Sequence, residues 1–352
     1  MFKINENYLK LPGSYLFSTI AKKVAAYQQA NPDKTIIRLG IGDVTLPIVP
    51  AVVEAIHKAA DEMGHAETFH GYAPDLGYDF LREAIVQKDY MAWGCRISPD
   101  EIFISDGAKS DCGNIQEIFS PDSRIAVCDP VYPVYVDSNV MAGRTGEYDE
   151  AKGMWSNVIY MPCRSENHFV PELPKETPDL IYLCNPNNPT GIPVPSRAVA
   201  KAVSACRQTG TLLVVDECFC DFLDQPQLYS VIPDLGDYGN LFVLKAFTKL
   251  YAMAGLRLGY GLCCDGALME ALQMVRQPWS VSGLAQMAGE AALEEQEYVE
   301  RTRKLMGTER AWLTEGLKKL GCTVYDSQAN YVFFKTKLGE ELGRRLLEKR
   351  VL

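Results

Sequence analysis

Six short apolar runs constrain this chain more than any other feature: EIFIS, RIAVC, LIYLC, TLLVVD, NLFVLK and RLGYGLCC. Longer amphipathic stretches separate them, among them PAVVEAIHKAADEM, YDFLREAIVQKDYMAW, SRAVAKAVSACRQTG and the run from Leu284 to Lys319. Buried strands alternating with helices predict an α/β fold with a mostly parallel sheet covered on both faces. From about residue 285 the chain turns helix-rich, and CTVYDSQANYVFFKT then offers two strands. That part reads as a smaller α/β unit on the first. No internal repeat or low-complexity linker interrupts the pattern.

Ligands of open α/β sheets sit beyond the carboxyl ends of the strands. Five of the runs end in polar or aromatic clusters: SDGAKSD, DPVYPVY, NPNNPTG, DECF and AFTK. SDGAKSD leads into a helix, whose first backbone amides favour an anion; the same turn also fits a plain N-cap. NPNNPTG is a rigid polar turn, with prolines fixing the backbone and asparagines offering donors and acceptors. Asp216 ends a run of apolar residues, and a buried carboxylate requires a donor or a cation. Lys249 stands after another such run, where an amine of lowered pKa reacts with carbonyls. Arg257 follows eight residues later. An anion cradle, an asparagine, a buried aspartate, a lysine amine and an arginine are the groups that pyridoxal phosphate requires.

These motifs resemble the fold-type I pyridoxal-phosphate aminotransferases. The resemblance implies a large domain with a seven-stranded, mostly parallel sheet between helices and a smaller α/β domain. It divides the chain into an N-terminal arm with part of the small domain (1–45), a large cofactor-binding domain (46–283) and a C-terminal small domain (284–352). It makes Lys249 the catalytic Schiff-base residue, Asp216 the partner of the pyridinium nitrogen and Asn188 that of the ring hydroxyl. Tyr132 stacks on the ring, Ala108, Lys109 and Arg257 meet the phosphate, and Thr248 also binds the cofactor. Residues 1–191 resemble LL-diaminopimelate aminotransferases in NENYLKLPGSYLF, IRLGIGDVTLP and AETFHGYAPDLGYDFLREAI. That likeness implies substrate contacts from Tyr15, Gly42, Tyr72, Asp75 and Asn187, with Tyr72 and Asp75 crossing to the second subunit of a homodimer. LL-diaminopimelate with 2-oxoglutarate is the expected substrate pair, which places the chain in lysine biosynthesis.

Residues 211–335 are more similar to histidinol-phosphate aminotransferase and threonine-phosphate decarboxylase, in VVDECFCDFL and LKAFTKLYAMAGLRLGY. Either activity is the alternative, as is a non-catalytic cofactor binder. Three departures bear on the choice. Phe219 stands where diaminopimelate aminotransferases have a tyrosine, and Ala246 where a phosphate-binding serine is usual. The sequence ends at LLEKRVL without a candidate for the second, carboxylate-binding arginine, so a truncated small domain and a substitute residue are both expected possibilities. Asp75 is one methylene shorter than the usual glutamate.

Other classes are excluded. A net charge of −10 disfavours a nucleic-acid surface. No apolar run reaches the length of a membrane span, and the start shows no secretory h-region. Eleven cysteines without a C-x-x-C pair predict buried free thiols in a reducing cytoplasm, not zinc or disulfides. LGIGDVT lacks the third glycine of a dinucleotide fingerprint, and no G-x-S-x-G elbow occurs. His57, His65, His70 and His168 show no ligand spacing, so no metal is expected; His70, beside Tyr72, is a candidate for the pocket wall.

Overall fold

A computed structural model describes residues 2–11, 16–39, 44–339 and 341–351. Its strands are β1 (Ile102–Ser105), β2 (Ile125–Asp129), β3 (Tyr148–Asp149), β4 (Met154–Trp155), β5 (Val158–Pro162), β6 (Leu180–Cys184), β7 (Leu212–Asp216), β8 (Leu241–Ala246), β9 (Gly259–Leu262), β10 (Thr323–Val324) and β11 (Phe334–Lys335). Seven of them form one sheet in the order β1-β9-β8-β7-β6-β2-β5. The pairs from β8 to β5 are parallel, whereas β9 runs antiparallel between β1 and β8. β3 with β4, and β10 with β11, make two separate two-stranded pairs.

The helices are α1 (Leu16–Ala30), α2 (Pro50–Glu62), α3 (Asp79–Ile85), α4 (Ala108–Ile115), α5 (Val134–Met141), α6 (Ser196–Thr209), α7 (Gly266–Val275), α8 (Gly283–Leu293), α9 (Gln296–Lys319) and α10 (Glu341–Glu348), and the sheet is buried on both faces. Successive strand residues point to opposite faces. Ile181, Leu213, Val215 and Val243 therefore enter one core, and Tyr182, Val214, Phe242 and Leu244 the other. The near-continuous burial of β6, β7 and β8 is what a two-sided cover requires. Among the described residues no helix is long and apolar enough to cross a membrane.

All six expected strands are present, and β5 is the seventh. It lies at the sheet edge, where its half-buried pattern weakens the apolar signal. The expected single helix from Leu284 to Lys319 is two. Glu295 leaves helical geometry at ψ 52° between α8 and α9. The physical reason is burial: Ala285, Ala288, Gly289 and Ala292 sink α8 into the core, while α9 is charged and buries only Val299. One straight rod cannot follow both courses. The expected helix over Tyr78–Trp93 also changes form. α3 passes into a π turn over Val86–Tyr90 and a short 3-10 turn at Met91–Trp93.

Gly261 is fixed by space. A Cβ there would come within 2.5 Å of Phe103 and 2.8 Å of Phe242, two stacked rings. Gly261→Ala is expected to lower unfolding free energy by about 1–3 kcal/mol through overpacking, measured as a reduced urea midpoint at unchanged slope.

Candidate active site

The direction of β9 assembles the anion end of the site. Because β9 runs antiparallel, its first residue lies at the carboxyl ends of its neighbours: Gly259 pairs with Ser105 of β1 and with Ala246 of β8. The residues just before β9 therefore fall beside the turn after β1. Arg257, held at φ 58°, donates from Nη2 to Asp106 O at 2.8 Å and from Nη1 to Ala254 O at 3.2 Å. Its exposed guanidinium thus stands over the entrance to α4.

That entrance is a cradle of backbone. Gly107 takes φ 127°, and a Cβ on it would lie 3.3 Å from Arg257 Nη2. Ser105 Oγ accepts from Gly107 N at 3.2 Å and donates to Asp111 Oδ2 at 2.6 Å. Burial pushes Asp111 up to about 7, and the Ser105 bond and the Arg276 charge partly offset it. Ala108 and Lys109 open α4, and the helix dipole makes that end attractive to an anion.

Asp216 ends β7 on the same face as Val214, with 6% of its surface exposed. Tyr135 Oη donates to its Oδ2 at 2.7 Å, and the Cys218 amide donates to its Oδ1 at 3.0 Å. Both donors are neutral. Tyr132, one turn before Tyr135, sets its ring edge-on to Tyr135 with centroids 5.7 Å apart. Thr248 is buried and Lys249 half-buried after β8, where Lys249 O accepts from Ala252 N at 3.2 Å.

The NPNNPTG turn is braced from inside. Asn185 Nδ2 donates to Val194 O and Tyr229 O, both at 3.0 Å. Asn187, expected at the substrate, spends its amide on the turn: Nδ2 donates to Pro130 O, and Oδ1 accepts from Thr190 N and Thr190 Oγ. Asn188 is left partly exposed. The C-terminal segment clasps this turn, with Ser327 Oγ on Thr190 O, Gln328 N on Gly191 O and Tyr331 Oη on Asn187 O. Phe219 meets Tyr331 edge-on at 5.3 Å, so the hydroxyl on that wall comes from residue 331. Burial holds the Tyr331 phenol well above its usual pKa.

The remaining expectations divide. Asp75 is exposed, and its backbone is fixed by Arg276, which donates from Nη2 to Asp75 O at 2.7 Å and to Ile104 O at 3.1 Å. Tyr72 is exposed and stacks on Trp279 at 4.5 Å. His70 does not join them; it turns to Glu62 of α2, Nε2 to Oε2 at 3.1 Å. Tyr15 and Gly42 lie outside the described residues. Sequence reasoning missed Tyr135, Tyr331 and the fit of Gly259. The spacing of Tyr132 and Tyr135 in DPVYPVY could have paired the first two tyrosines on one side of a helical turn.

Tyr135→Phe leaves Asp216 Oδ2 buried without its donor. The expected loss is about 1–3 kcal/mol of stability, read from urea unfolding against wild type. An unchanged midpoint would remove Tyr135 from this role.

The aminotransferase class I and II family matches residues 34–352 of the chain. An LL-diaminopimelate aminotransferase of Lachnospira eligens is 53% identical, over 96% of this chain and 86% of its own length. One from Agathobacter rectalis is 51% identical over the same shares. The solved structure of L,L-diaminopimelate aminotransferase from Chlamydomonas reinhardtii superposes with a TM-score of 0.88 at 30% identity, covering all of this chain and 90% of that one. The likeness does not stop near residue 191: the second half, expected to lean toward other activities, lies within the same matches. The chain belongs to the aminotransferase class I and II family, and it is a transaminase.

Proposed function

We propose that the chain transfers an amino group from LL-diaminopimelate to 2-oxoglutarate, with pyridoxal phosphate as its cofactor. The observation that carries the reading is Asp216: a buried carboxylate at a strand end, held by two neutral donors and calling for a positive group from a ligand. A protonated pyridine nitrogen is such a group. The bare cradle at Gly107 and the anchored Arg257 suit a phosphate. Thr248 offers a hydroxyl on that side, where Ala246 has none.

Each residue then has one task. Asp216 keeps the pyridine nitrogen protonated, Tyr132 covers the ring face and Asn188 meets the ring hydroxyl. Ala108, Lys109, Thr248 and Arg257 hold the phosphate. When bound, pyridoxal phosphate supplies an electron sink for the pair left at the substrate Cα. Lys249 would hold the cofactor through its amine and, as general base and acid, would carry a proton from the substrate Cα to the cofactor carbon. Asp75, on a loop whose backbone Arg276 fixes, reads the distal ammonium of the substrate. Tyr72 with Trp279 presents an exposed aromatic pair that suits a second subunit of a homodimer. Eleven free thiols, most of them buried, support a reducing, cytoplasmic setting.

An absorption titration checks this. Wild-type protein with pyridoxal phosphate is expected to develop a visible band that LL-diaminopimelate bleaches, and Lys249→Ala is expected to lose about 10²–10⁴-fold in kcat. A band that no amino acid changes would refute the transaminase assignment of this site. For substrate choice, Asp75→Asn is expected to lower kcat/KM for LL-diaminopimelate by about 10–100-fold, the worth of one charged hydrogen bond, and to affect L-glutamate far less. Equal losses on both substrates would make Asp75 a structural residue.

A further inference from the structure

Across the sheet from Asp216 lies a second cavity, of about 310 Å³. Asp216 pairs with Leu244, so the next residue of β8, Lys245, points to the opposite face. Lys245 is 3% exposed and donates to both carboxylate oxygens of Asp221, at 2.7 and 2.8 Å. That pair closes on itself. Lys88 is likewise closed on Glu294 at the rim, and Asp224 stands exposed at the mouth.

Two opposite charges are left facing the same space. Asp89 accepts one bond from a protein side chain, from Tyr260 Oη at 3.1 Å, and Tyr260 is tied in turn to Tyr90 Oη at 2.6 Å. It reaches the cavity because the helix widens into a π turn at Val86–Tyr90, a distortion that recurs at functional sites. Arg303 of α9 spends its Nε on Asp221 O at 2.7 Å, and its terminal nitrogens have no hydrogen-bond partner among the described residues. Asp89 and Arg303 influence one another electrostatically, but they form no ion pair. Aromatic rings, Trp93, Tyr90 and Tyr251 among them, line the space, a wall that favours an organic cation. The volume is at the small end of ligand sites, about 300–1,000 Å³.

We propose that this cavity is a second binding site, for a small α-amino-acid zwitterion whose ammonium meets Asp89 and whose carboxylate meets Arg303. An ammonium and a carboxylate one carbon apart would span the charges that the protein itself leaves unjoined. Burial, reinforced by Asp221 and partly offset by Lys245 and Arg303, pushes Asp89 up to about 7, and a ligand ammonium against it would favour the ionised form. The site does not depend on how the first one works. Leu250 and Tyr251, which line the cavity, directly follow Lys249 in the chain.

The test uses cofactor-loaded enzyme and N,N-dimethylglycine. This probe is a zwitterion with one N–H to donate and no free amine to condense with an aldehyde, so it bypasses Schiff-base formation at the first site. Ligand-observed NMR titration is expected to show saturable binding that weakens about tenfold or more in Asp89→Asn and in Arg303→Gln. Arg303→Lys is expected to recover part of the loss. Should a variant fold poorly, the wild type alone still decides: acetate and dimethylammonium, the two halves of the probe, must each bind more weakly than the whole. Absence of saturable binding, undiminished affinity in both variants, or halves that bind as well as the whole overturns the proposal.

Discussion

Gly259 has no room for a side chain. A Cβ there would come within 2.8 Å of Gly107 Cα and 2.9 Å of Lys245 O, both backbone atoms. The anion end of the active site depends on this contact. It lets the antiparallel β9 lie close between β1 and β8, with its first residue against the cradle of α4. From there Arg257 reaches Asp106. A parallel strand in the same place would have started at the far end of the sheet and carried its arginine away from the cradle.

The sheet also separates two kinds of lysine chemistry. Lys245 and Lys249 are four residues apart, yet they face different problems. Lys245 points away from Asp216 and is neutralised at once by Asp221. Although burial alone would discharge it, Asp221 and its other acidic neighbours hold it well above its ordinary pKa, so it stays charged. Such an amine is a poor nucleophile. Lys249 stands just past the strand, outside that pair. Strand alternation turns Lys245 away from Asp216, whereas Lys249 lies beyond the end of β8, where that alternation no longer sets its direction.

The polar turn after β6 shows how a rigid surface is built from side chains bonded within the protein. Asn185 and Asn187 look alike in NPNNPTG, and both are consumed within the protein. Their amides fix the turn, the C-terminal residues 327–331 clasp it from outside, and Asn188 is held partly exposed as a result. A side chain whose neighbours are already satisfied loses little entropy when it binds, which is the advantage of a pre-formed site.

Much of this was legible in the sequence. Apolar runs ending in polar clusters determined an α/β sheet and the side of it that carries chemistry, because buried strands must be apolar and their ends must not. Asp216, Lys249 and Arg257 stood out because a charge next to such a run needs a reason. The tertiary structure alone decided the rest. It split the long C-terminal helix in two, since one half is buried and the other solvated. It gave Asn187 to the turn, Tyr135 to Asp216, and the Asp89 and Arg303 charges to a cavity behind the sheet. The last two pairings join residues dozens to hundreds of positions apart, and local pattern carries no information about which distant side chain will fill a given space.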